Sequence, residues 1–294
     1  MKTLPICFAF LFFLSHPAQG YDKLADFLYP EYTVTIKQLP ALSFRETRSV
    51  ASLIDLPGDS ADRHKDTLDF IKKKIQDNNE EAAAVFSKYD FSGDGIDDLI
   101  MSDYFGSGEI QTFLWIKSGS KYDFAGAFDG KPQFFRSDAT SSSSLLTRSG
   151  WCCPSRVGKI YLYELQKVNG KRRYALIKKI MEMSHIRVPV KKYAPIRFTT
   201  IDDQDRLRSS PEVRDDYDPD MSGLHNKPTY GNIIAEIEKG SKGEAVASHT
   251  DKTGRVWWFV VMDKDAPATY SLFYDDEDGC KTGWMISRHL KIMQ

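Results

Sequence analysis

From Ala83 onward the chain is built of short strand-forming runs cut by turn residues, and that pattern restricts it to a β-rich fold. Ala84–Tyr89, Leu99–Met101, Gln111–Lys117, Tyr122–Phe128, Val157–Leu165 and Arg173–Ile180 all read as strands. Between the last two, Val168-Asn169-Gly170-Lys171 predicts a hairpin, because Asn-Gly accepts the positive φ of a type I′ turn. Upstream, Tyr32–Ile36 alternates like a strand. Residues 61–77 place Leu68, Ile71 and Ile75 at helical spacing behind Ser60 as N-cap. Ser137–Ser149 reads as a Ser/Thr loop. Residues 21–200 are therefore expected to form an α+β domain, an antiparallel sheet with one or two helices.

Residues 1–20 read as a secretion signal. Lys2 is the positive end, Leu4–Leu14 the apolar run, and Ala18-Gln19-Gly20 the small-residue cleavage site. The run is shorter than the ~20 apolar residues that span a bilayer. No later stretch is apolar enough for stable membrane insertion. The expected location is periplasmic or secreted. With 40 basic and 41 acidic residues the chain has no net field to draw in nucleic acid. Its 294 residues suggest two domains, at roughly 100–200 residues each.

Cys7 falls inside the signal, which leaves Cys152, Cys153 and Cys280. Export permits disulfides. Three readings are open: a vicinal Cys152–Cys153 bridge, a bridge from one of the pair to Cys280, or a buried reduced doublet.

Residues 90–98 read Asp-Phe-Ser-Gly-Asp-Gly-Ile-Asp-Asp. Side-chain oxygens stand at Asp90, Ser92, Asp94 and Asp98, and the Ile96 carbonyl can add another. Alternate oxygens around a glycine turn suit a hard cation such as Ca²⁺, held as a structural clip. Met101 stands where an EF-hand has its bidentate Glu, and the flanks are strand-like. The loop resembles the calcium loop of the FG-GAP/VCBS family, Asp-x-[Asp/Asn]-x-Asp-Gly-x-x-Asp-[Leu/Ile]. Asp90, Asp94, Gly95, Asp98 and Leu99 match, and Ser92 departs. The alternative is an acidic turn that binds nothing.

Residues 201–222 are acidic and poor in apolar residues, and read as a linker. Beyond them, Leu224–Asn226, Ile233–Ile237, Glu244–Ser248, Val256–Met262, Thr282–Ser287 and Leu290–Met293 are short runs at close spacing, as in a small barrel. Residues 223–294 resemble the bacterial SH3-like (SH3b) family. Leu224–Ile234 is similar to its opening strand and loop, and Lys239-Gly240 to its turn. Trp257–Val261 and Gly283-Trp284-Met285 are similar to later strands. A long insertion, Asp263–Cys280, departs from the pattern. The resemblance implies peptide recognition through an aromatic groove, with Tyr230, Trp257, Trp258 and Trp284 as candidates. Strand alternation should put one of Trp257 and Trp258 outward. Core filling is the competing role for these aromatics.

No ligand-spaced histidine pair, nucleophile elbow or phosphate-cradling loop occurs, so no enzyme is expected. The run Gly-Trp-Cys-Cys-Pro-Ser (150–155) looks like a run in some exported bacterial proteins with an Asp-rich calcium loop. It implies no chemistry. The expected function is an exported binding protein for a peptidoglycan peptide or an envelope protein. The alternatives are a periplasmic immunity or inhibitor protein that uses the acidic loops 215–220 and 275–278, and a cell-wall hydrolase using Cys153 and His185.

Overall fold

The computed structural model describes residues 21–30, 39–51, 53–54, 69, 73, 86–105, 109–136, 144–149, 157–183, 185–219, 228–273 and 278–293. The fold is mainly β, as expected. Two short helices come first, α1 (Tyr21–Leu28) and α2 (Phe44–Ala51). Pro30, which cannot continue a helix, follows α1. Ser43 caps α2 in a reciprocal box. Its Oγ accepts from Glu46 N at 3.4 Å, and Glu46 Oε2 accepts from Ser43 N at 3.0 Å. Of the helix expected over 61–77, Asp69 and Lys73 are helical and the rest lies outside the described residues. The strand expected at Tyr32–Ile36 also lies outside them.

Strands β1 (Phe86–Tyr89), β2 (Asp98–Phe105), β3 (Glu109–Ser118) and β4 (Lys121–Asp129) form an antiparallel meander in sequence order. One face buries Phe86, Leu99, Phe113 and Trp115 beneath Leu42, Val50 and Ile54 of the α2 region. The opposite face buries Phe91, Ile100, Leu114 and Phe128 against a second sheet.

That second sheet has twelve strands. Strands β5 (Lys131–Arg136), β6 (Ser144–Ser149), β7 (Val157–Val168) and β8 (Lys171–Met183) make one end. Asn169 and Gly170 join β7 to β8 with φ 50° and 79°, as the Asn-Gly signal predicts. Ser144–Ser149 is strand, not loop: Leu145 and Leu146 are buried on opposite faces, and their packing overrides the serine-rich flank.

At Cys280↔Ile180 and Lys281↔Met181, β8 pairs in parallel with β15 (Cys280–Ile286). The sheet continues through β13 (Val256–Met262), β12 (Lys242–Thr250), β9 (Ile196–Thr200) and β16 (Leu290–Ile292). It then curls over as β10 (Asp205–Arg208), β11 (Ile233–Ile237) and β14 (Ala268–Ser271), giving a half-barrel. The sequence boundaries do not coincide with this sheet. Strand β9 lies before the expected boundary and pairs with β12 and β16. The stretch expected as a linker contains β10, and the expected insertion contains β14.

Alternation along the long sheet separates its two faces. Trp257, Phe259 and Val261 face α1, which adds Leu24, Ala25 and Leu28 to that core. Val260, Met262 and Met285 face the curled strands and pack with Phe198, Leu207, Ile234 and Phe273. Both faces of β13 are thus covered. Among the described residues no helix is long and apolar enough to cross a membrane.

Candidate functional site

Burial decides which of the expected aromatics a ligand can reach. Trp257 is fully buried under α1, and its Nε1 donates to Asp251 Oδ2 at 2.9 Å. Trp284 is buried on the same face, and its Nε1 donates to the Arg187 carbonyl at 2.7 Å. Trp258 is half-buried and packs against the half-barrel core, its ring 6.5 Å from Phe198. Alternation parts the two tryptophans as expected, but the face of Trp258 is shared with the curled strands, so it keeps only part of its surface open. The expectation of an outward tryptophan assumed a strand with one solvated face, and α1 covers the face that a free-standing barrel would expose.

Tyr230 is the most exposed of the four candidates, at 44 %. Its ring lies 6.0 Å from that of Tyr217, itself 58 % exposed, and the two residues form an antiparallel bridge. Asp218 N donates to Thr229 O, and Gly231 N to Asp216 O, on either side of the bridge. Gly231 adopts φ 53°, and a Cβ there would meet the Arg214 carbonyl oxygen at 2.0 Å, so the turn requires glycine. Beside the pair, Tyr270 of β14 donates to the Pro228 carbonyl at 2.8 Å. Burial, with Glu236 and Tyr230 nearby, pushes its phenol up to about 12. Sequence reasoning missed Tyr217 because its acidic neighbours look like linker.

The Asp90 loop joins β1 to β2. Asp90 Oδ1 accepts from Gly93 N and Asp94 N, and its Oδ2 from Gly95 N. Asp98 is fully buried. Its oxygens accept from Ser92 N and Lys117 N, each at 2.9 Å. Burial pushes the Asp98 carboxyl up to about 6, against the pull of those amides. Asp94 Oδ2 accepts from Arg172 Nη2 at 2.7 Å, and its Oδ1 from Ile96 N. Burial would raise Asp94, but Arg172 and the Ile96 amide hold it below its usual value. The donor set fits a cation in part. Ser92 Oγ lies beside the Asp94 and Asp98 carboxylates and has no hydrogen-bond partner of good geometry. The position facing Asp94 is taken by Arg172, so a metal ion would displace that guanidinium. The Ile96 side chain is exposed.

Cys280 carries a free, buried thiol, which burial pushes up, and it lines a groove of about 610 Å³ between β8 and β15. Cys152 and Cys153 lie outside the described residues.

A second groove, of about 470 Å³, opens where the β9–β10 turn meets the 3-10 turn Ser287–His289. His289 Nδ1 lies 2.7 Å from Asp205 Oδ1 and 3.6 Å from Asp202 Oδ2. Arg288 Nε donates to His289 Nε2 at 3.0 Å, so the imidazole proton resides on Nδ1 and is donated to Asp205. Burial raises the Asp205 carboxyl, and the His289 bond works against it. No residue of this group was singled out from sequence as a site. No protein-family model, curated protein or solved structure matches this chain.

Proposed function

We propose that this chain is an exported envelope protein whose C-terminal half-barrel, SH3-like in its strand motifs, binds a cell-wall peptide. The observation that carries the reading is the exposed Tyr217–Tyr230 pair beside Tyr270. Tyrosines offer large, rigid contact area with a polar tip, which suits recognition of a short peptide. The surface moves from the tryptophans of the strand motifs to the bridge that precedes β11. The N-terminal meander supports this module through the second sheet, and Ca²⁺ at the Asp90 loop is its proposed structural clip.

The inhibitor reading draws less support. It needs free acidic side chains at 215–220, and Asp215 lies 2.6 Å from Arg206 and 2.7 Å from Arg208. These arginines outweigh its burial and hold its carboxyl below the usual range.

The test is retention of the chain from residue 21 onward on purified peptidoglycan sacculi. Binding by the parent protein and loss in Tyr217→Ala/Tyr230→Ala is the expected result. No retention of the parent protein removes the wall-peptide reading. Equal retention of parent and variant removes the tyrosine surface.

A further inference from the structure

The groove between the β9–β10 turn and the 3-10 turn before β16 holds a carboxylate that the protein leaves half satisfied. Asp205 is 3 % exposed. Its Oδ1 receives the His289 proton, and its Oδ2 is buried with no hydrogen-bond partner of good geometry, the Asp202 amide nearby being poorly placed to serve it. A buried carboxylate oxygen with no donor is costly, and native structures leave few such atoms without a reason. Asp202 stands on the other side of the imidazole. The three side chains bring one ligand atom each within 4.8 Å of one another, the only such group of His, Cys, Asp or Glu among the described residues.

The fold holds this arrangement across a long sequence separation. Ile201 N donates to the His289 carbonyl at 3.0 Å, and Leu290 pairs with Thr200, so the two turns are clamped together. Gln204 takes a left-handed φ of 58°, a conformation uncommon for a residue with a side chain, in the turn that brings Asp202 and Asp205 to one imidazole.

We propose that Asp202, Asp205 and His289 bind a borderline divalent transition-metal ion, with Zn²⁺ as the probe. One imidazole nitrogen with two carboxylates is a mixed donor set that suits such ions. It lacks the six to eight oxygens of a calcium cage. Three protein ligands leave a coordination position open to the groove. The unsatisfied Asp205 Oδ2 gains a partner. The imidazole keeps one proton, which moves from Nδ1 to Nε2 as Nδ1 turns to the metal. Arg288, which now donates to Nε2, is exposed and swings aside. The other arginines of the groove carry their own counter-ions: Arg206 pairs with Asp215 and Glu236, Arg208 with Asp215, and Arg255 lies 3.9 Å from Asp251. This site is independent of the peptide-binding reading.

The experiment is Zn²⁺ titration of the chain from residue 21 onward, by competition with a chromophoric chelator. Long-range ¹H–¹⁵N NMR of the imidazoles runs in parallel. The expected result is one saturable site at which His289 passes from the Nδ1–H to the Nε2–H tautomer. Asp205→Asn and His289→Gln should each weaken that site at least about tenfold, as loss of metal-site partners does. The tautomer change is read in the unaltered protein, so it stands even if a variant folds poorly. A His289 spectrum unchanged at saturating Zn²⁺ overturns the proposal, as does equal binding in parent and both folded variants.

Discussion

Arg172 Nη2 lies 2.7 Å from Asp94 Oδ2 and ties the β7–β8 hairpin to the loop between β1 and β2. The two residues belong to different sheets, so the pair is a strut between them as well as a counter-charge for the loop. Both side chains are partly exposed, and such pairs contribute about 0–1 kcal/mol. Arg172→Gln should therefore shift the metal-free melting temperature little. A Ca²⁺ ion bound as proposed would compete with the guanidinium for Asp94, so the same change should strengthen that binding several-fold. Melting curves in millimolar Ca²⁺ and in excess EGTA check both statements. If the parent and Arg172→Gln curves are equally indifferent to Ca²⁺, the loop is an acidic turn closed by its own arginine.

Asp98 gives the loop a pH signature. Its carboxyl is raised by burial from the ordinary 3.8 to about 6. The folded state thus holds this proton more tightly than the unfolded chain. Stability from this group is present below about pH 4 and is lost as the pH rises through about 6. The loss amounts to roughly 3 kcal/mol, at about 1.4 kcal/mol per unit. The expected observation is an Asp98 carboxyl resonance with its midpoint near pH 6, with the Ser92 and Lys117 amide protons moving in step. A midpoint near 4 would contradict the buried environment.

Within the long sheet, Arg148 Nη2 meets Glu182 Oε1 at 2.8 Å, and both side chains are buried. They sit on β6 and β8. The pair crosses the intervening β7 on the face where Gly158, opposite Glu182, has no side chain to obstruct it. Removing one partner of a buried ion pair costs about 3–5 kcal/mol. Arg148→Met should lower the denaturant midpoint accordingly. Arg148→Met/Glu182→Leu should recover most of the loss, because both members of the pair are then replaced by apolar side chains. A double variant as unstable as the single one would show that packing, not charge, governs the site.

Strands β11 and β13 were legible because each is a self-sufficient apolar run, and the Asn169-Gly170 turn because its chemistry is local. Strands β10 and β14 were not. Asp205-Arg206-Leu207-Arg208 has the composition of a solvated loop, and it becomes a strand because β11 and Trp284 pair with it. The Ser43–Glu46 capping box, which fits Ser-x-x-Glu and marks the start of α2, was overlooked in the sequence. Of the site residues, the spacing in the Asp90 loop was visible. The approach of His289 to Asp205 spans 84 residues, and no local pattern encodes it. Core filling by Trp257 and Trp284 was one of the sequence readings, but what covers them was hidden for the same reason: the helix lies far away in sequence.

That helix supplies the final prediction. In α1, Leu24 and Ala25 are fully buried and Leu28 nearly so, against Trp257, Phe259 and Trp284. Phe27 meets Phe259 edge-on at 5.8 Å, and Lys192 Nζ donates to the Leu28 carbonyl at the helix end. A helix of eight residues has little intrinsic stability, so this packing is what keeps it folded. Leu24→Ala should cost about 2–5 kcal/mol, the range for a truncated core leucine. As α1 loosens, Trp257 and Trp284 should become open to acrylamide, with a red-shifted emission. Tyr217 and Tyr230 lie outside that core, so peptide binding, where present, should persist at temperatures below the lowered melting point. If quenching in Leu24→Ala matches that of the parent protein, α1 is not what seals the tryptophan face. The emptied space would then be closed by the strands themselves.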